Sequence, residues 1–99
     1  MNRDIAITVK YLALVREMTR RNMDIIVIPK GSAVSYLIDY ITKSYGRQMR
    51  SNLLGDEAKS KSRFSLIING EIIDRSKFDK MILNDKDEVA IIPPIAGGQ

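Results

Sequence analysis

The sequence predicts an α+β domain of two layers, a five-stranded sheet packed on one main helix. Three observations carry that reading. Five short runs show strand-like alternation or a β-branched makeup, one stretch repeats its apolar residues at helical spacing, and 99 residues suffice for one core and no second lobe. The order is strand, short helix, strand, main helix, then three strands.

Ile5, Ile7, Val9 and Tyr11 alternate with smaller or polar residues, which predicts a half-buried first strand with those four facing in. Leu12 to Met18 fits a short helix, with Leu14 and Val15 spaced four and three residues before Met18. Met23 to Ile28 is the second strand, ended by the turn Pro29-Lys30-Gly31. Ser32 is a good N-cap for the main helix, whose apolar face is Val34, Leu37, Ile38, Ile41 and Tyr45. Gly46 can close it. Tyr36 and Tyr40 fall on another side. Arg47 to Leu54 reads as a further helical turn or two, and Asp56 to Ser62 as a polar loop. Phe64 to Asn69 is the third strand. Asn69-Gly70 signals a tight hairpin, because both residues tolerate positive φ, and Glu71 to Asp74 runs back. Arg75 to Met81 is a linker or helical turn, and Asn84 to Asp87 turns into the last strand.

Composition narrows the chemistry. There is no cysteine and no histidine, which removes disulfides, thiolate nucleophiles, the commonest metal ligand and the commonest general base at neutral pH. A self-contained catalytic centre, a metal site and a bound cofactor are therefore not expected. The net charge is +4, but the basic residues are spread out and few aromatics lie among them. That pattern describes a solvated surface rather than a nucleic-acid footprint. No apolar leader or membrane-length run is seen, so the expected location is the cytoplasm.

The chain leads to its C-terminus. Val89 and Ile91 lie on one face of the last strand, Ala90 and Ile92 on the other. Pro93 and Pro94 stop the strand, since they lack N–H donors and fix φ. Ala96, Gly97 and Gly98 follow, the thinnest residues available. Extended, the run from Pro93 to Gly98 would reach about 20 Å at about 3.3 Å per residue. This predicts a folded domain over residues 1–92 and a flexible tail over 93–99 that can thread a narrow channel, because glycine leaves no Cβ in the way.

The run from Leu83 through Asp85-Lys86-Asp87-Glu88-Val89-Ala90-Ile91-Ile92-Pro93-Pro94-Ile95-Ala96-Gly97-Gly98 closely resembles the end of the ubiquitin-like sulfur carriers. It is most similar to the small subunit of molybdopterin synthase, the MoaD family, and the order of elements upstream also fits. The resemblance implies a ubiquitin-like β-grasp fold with a mixed sheet, in which the first and last strands are parallel neighbours at the centre. Ala90 and Ile92 would then face outward as a docking surface. It also implies a carrier and not an enzyme. An E1-like adenylating enzyme would activate the carboxylate of Gly98, sulfur would displace AMP to leave a thiocarboxylate, and the tail would deliver that sulfur to a pterin precursor in the large synthase subunit. Gly98 would carry the chemistry, while Gly97, Ala96, Pro94 and Pro93 shape the tail.

One residue departs from the family pattern. Gln99 follows Gly98, so the carboxyl of Gly98 lies in a peptide bond and a peptidase would have to remove Gln99. The alternatives are a ubiquitin-like modifier joined to protein lysines through Gly98, and a binding-only relative with an inert tail. The thiamine-pathway carriers fit less well, since they are shorter and lack the Pro-Pro pair.

Overall fold

Strand β1 (Asp4–Tyr11) alternates as its composition demands: Ile5, Ile7, Val9 and Tyr11 are buried, and the residues between them are not. In the computed structural model, which describes residues 3–55 and 64–94, four more strands join it. They are β2 (Met23–Pro29), β3 (Ser65–Ile68), β4 (Glu71–Ile73) and β5 (Glu88–Ile92), in the order β2-β1-β5-β3-β4. β1 and β5 run parallel, with Val9 beside Val89 and Tyr11 beside Ile91; the other pairings are antiparallel. The sheet is thus mixed, with β5 at its centre.

Helix α2 (Val34–Tyr45) covers one face. Val34, Leu37, Ile38 and Ile41 are fully buried against Ile7, Val9, Leu66, Val89 and Ile91 of the same core. Burying each such aliphatic side chain contributes about 1.5–3 kcal/mol relative to exposure. Helix α3 (Arg47–Leu54) adds Met49 and Leu53. Gly46 joins the two helices at φ +94°, a backbone that an L side chain would strain.

Two local expectations change. The short helix, α1, spans Leu14–Thr19 and turns Val15 and Thr19 inward, leaving Leu14 exposed. Leu12 is not in it, because its amide is bound to the sheet, donating to the Ile91 carbonyl at 3.2 Å. Ser32 does not cap α2; its hydroxyl donates to the Pro29 carbonyl at 2.6 Å and tightens the turn before the helix. The first free amides of α2 instead find tertiary partners. Val34 donates to the Met81 carbonyl and Ser35 to the Phe78 carbonyl, both at 2.9 Å, so the segment after the 3₁₀ turn (Arg75–Lys77) serves as the cap. The expected loop at Asp56 to Ser62 lies outside the described residues.

Candidate functional site: the open sheet face and the root of the tail

Alternation along β5 divides its side chains as expected. Val89 and Ile91 are buried under α2, while Ala90 and Ile92 lie half-buried on the uncovered face. The register shows what surrounds them. Ala90 sits between Lys10 of β1 and Ile67 of β3, and Ile92 is beside Ser65. Ile67 in turn pairs with Ile72 of β4, which is 72% exposed. The result is an apolar strip of Ile72, Ile67, Ala90 and Ile92 running across three strands toward the point where the chain leaves the sheet. A surface salt bridge, Lys10 to Glu88 at 3.2 Å, borders it. Apolar side chains grouped in this way on a small protein suit contact with another protein.

Pro93 is half-buried and Pro94 exposed, so the strand ends at Ile92 as the missing N–H donors require. The predicted tail residues Ala96, Gly97 and Gly98, with Gln99, lie outside the described residues. Their root is well anchored. β5 pairs on both sides, with β1 and with β3, and the Leu12 amide holds the Ile91 carbonyl one residue before Ile92.

Beneath this root, on the helix side, is a polar cluster that sequence reasoning missed. Tyr11 and Tyr45 both donate to one oxygen of Asp24, each at 2.7 Å, and their rings meet edge to face at 5.7 Å. Arg21 Nε closes the other side at 2.5 Å from the second oxygen. Burial, then the hydrogen bond to the Asp24 carboxylate, pushes the Tyr11 phenol far above its usual range; the same causes raise Tyr45. Burial alone would raise Asp24 too, but the two phenols and the Arg21 charge outweigh it and hold the carboxyl below its usual range. This cluster ties β1, β2 and α2 together where the tail begins. Tyr11 and Tyr45 are legible singly as inward-facing, but nothing in the sequence brings them to Asp24.

The strip also contains Ile67 and Ile72, which strand alternation marks as outward but does not bring next to β5. Among the described residues, no group of three or more His, Cys, Asp or Glu could hold a metal ion. No helix of the described residues is long and apolar enough to cross a membrane. A groove of about 450 Å³ between α2, α3 and the 3₁₀ turn is lined by Ser35, Asp39, Leu54, Arg75 and Asp79, on the helix side, away from the strip.

The geometry therefore offers an apolar docking face beside the end of β5. Comparison with known proteins agrees. No curated protein sequence matches the chain. The sequence matches the ThiS family over residues 9–98. Among solved structures it is similar to a molybdopterin converting factor subunit 1 from Pyrococcus furiosus, at 25% identity and a TM-score of 0.74, covering 92% of this chain and 99% of that one. It is also similar to small archaeal modifier protein 1 from Methanosarcina acetivorans, at 25% identity and a TM-score of 0.72, with 96% and 98% covered. The BexX/CysO complex from Amycolatopsis orientalis contains a chain that is 24% identical, with a TM-score of 0.69 and 94% and 100% covered. The fold is that of ubiquitin-like β-grasp proteins, and the chain belongs to the ThiS family of ubiquitin-fold carriers and modifiers, which are not enzymes.

Proposed function

We propose that this protein is a sulfur carrier for molybdenum or tungsten cofactor synthesis, working through a thiocarboxylate on Gly98. The observation that supports this reading is the C-terminal run itself: a central strand followed by Pro93-Pro94, then Ala96-Gly97-Gly98, which resembles the end of the MoaD family up to Gly98. Likeness to a molybdopterin converting factor subunit supports it. The chemistry follows from the chain end. Hydrolysis of the Gly98–Gln99 peptide bond by a peptidase frees the Gly98 carboxylate. That carboxylate attacks the α-phosphate of ATP on an E1-like enzyme, pyrophosphate leaves, and the resulting mixed anhydride is a good electrophile. A sulfur nucleophile displaces AMP, and the thiocarboxylate is carried to the large synthase subunit. The strip of Ile72, Ile67, Ala90 and Ile92 is the face both partners would hold, while Pro93 and Pro94 stiffen the departure of the tail.

Likeness to a small archaeal modifier protein favours a second reading, in which the activated Gly98 is joined to lysines of other proteins. Intact-mass measurement of the protein isolated from its own cells separates these. Loss of Gln99 with a sub-population in which sulfur replaces one oxygen supports the carrier. Gly98 found in isopeptide linkage to lysines supports the modifier, and full retention of Gln99 rules out both.

A further inference from the structure

The other exposed element is β2, at the edge of the sheet, and its unpaired side has a defined length. At one end of the β1–β2 ladder Tyr11 donates to the Asn22 carbonyl at 2.9 Å, and at the other Lys30 donates to the Arg3 carbonyl at 2.8 Å. An antiparallel ladder alternates, so Asp24, Ile26 and Ile28 bond to β1, while Met23, Ile25 and Val27 direct their N–H and C=O groups away from the sheet. Pro29 ends this row, since it has no N–H and its carbonyl is taken by Ser32. The side chains of the same three residues stand on the open face, with Ile25 64% and Val27 55% exposed. Long apolar edges of this kind are usually blunted in soluble proteins.

Charge says what fits there. Arg20 and Arg21 precede the strand, and Arg3 and Lys30 close its far end. Arg21 is paired with Asp24, but no ion pair among the described residues engages Arg20 or Lys30. A second copy fits poorly. Two-fold antiparallel pairing centred on Ile25 would set Arg20 opposite Lys30 of the other copy, a like-charge contact at both ends.

We infer that β2 takes up an extended peptide of a partner protein as a sixth strand, one with alternating β-branched residues flanked by acidic ones. Its backbone bonds to Met23, Ile25 and Val27, its apolar side chains lie beside Ile25 and Val27, and its carboxylates meet Arg20 and Lys30. This surface is separate from the β5 strip, with β1 between them, and does not depend on the chemistry of Gly98.

The test is a titration of the full chain, ¹⁵N-labelled, with the peptide Asp-Asp-Ile-Thr-Val-Thr-Ile-Asp-Glu and with a version carrying Lys in place of each acid. The expected result is that the amide signals of Met23, Ile25 and Val27 shift most, and that the Lys version binds at least about tenfold more weakly. Ile25→Pro should abolish binding while the chain stays folded, because the lost N–H faces away from β1. Lys30→Glu combined with Arg20→Glu, which leaves the backbone untouched, should weaken the acidic peptide and improve the Lys version. Equal binding of both peptides overturns the inference, as do shifts centred on Ala90 and Ile72 or no binding at millimolar peptide. A concentration-dependent dimer abolished by Ile25→Pro would make a second copy the occupant and overturn it as well.

Discussion

Asn69 holds Glu88 with both its backbone and its side chain. Its amide donates to the Glu88 carbonyl at 2.8 Å, and its Oδ1 accepts from the Glu88 amide at 2.9 Å. The side-chain nitrogen also donates to Asp87 Oδ1 at 2.9 Å. A hairpin residue at φ +50° thus doubles as the clamp that seats the start of β5 beside β3. Asn69→Gly keeps the backbone conformation and removes the side-chain bonds, so it should cost about 1–2 kcal/mol. Asn69→Ala also strains a left-handed backbone and should cost about 1 kcal/mol more. Urea unfolding with an unchanged slope checks both.

The cluster of Tyr11, Tyr45 and Asp24 should limit stability at both ends of the pH range. The phenols are held above their ordinary value of 10.0, so their contribution is fully present below about pH 10 and is lost as pH rises through the folded-state values. The Asp24 carboxyl is held below its ordinary 3.8, so its contribution is present above about pH 4 and is lost as pH falls through the folded-state value. Tyr11→Phe should cost about 1–2 kcal/mol at pH 7. The double variant Tyr11→Phe with Tyr45→Phe should flatten the loss of stability above pH 10. Thermal unfolding across pH reads both effects.

Neighbouring residues on β5 should separate folding from recognition. Ile91 is fully buried under α2, and Ile91→Ala should cost about 2–5 kcal/mol through the cavity it leaves. Ile92 lies on the opposite face, and Ile92→Asp should change stability by less than about 1 kcal/mol. If the proposed carrier role holds and the strip is the docking face, Ile92→Asp in a chain trimmed to end at Gly98 should instead abolish ATP-dependent adenylation by an E1-like enzyme. Pyrophosphate release measures this, and full activity of Ile92→Asp would remove the strip from the docking role.

Removal of Gly97 and Gly98 should leave the melting temperature within about 2 °C of the parent, because among the described residues β5 is anchored by bonds as far as Ile91 and Ile92. Under the proposed carrier role, it should also eliminate thiocarboxylate formation, read by mass. A large drop in melting temperature would mean that these residues pack against the domain and do not project from it.

Much of this molecule follows from local pattern. Period-two alternation alone puts Ile5, Ile7, Val9, Tyr11, Val89 and Ile91 inside, because a side chain on a strand has only two faces to choose from. Period 3.6 does the same for Val34, Leu37, Ile38 and Ile41, and positive φ at Asn69 and Gly70 follows from what those residues tolerate. Where local chemistry has two outlets, the tertiary structure chose. Ser32 could cap α2 or tighten its turn, and it does the latter because Phe78 and Met81, more than forty positions along the chain, bring carbonyls to the helix end. Leu14 yields the inward face of α1 to Val15 and Thr19, because the Leu12 amide is drawn to Ile91. The Tyr11–Asp24–Tyr45 cluster, the strip across β4, β3 and β5, and the unpaired edge of β2 all depend on which strands become neighbours. Pairing is decided by hydrogen bonds and burial between distant segments, so a sequence read one window at a time records the faces of its elements and not the company they keep.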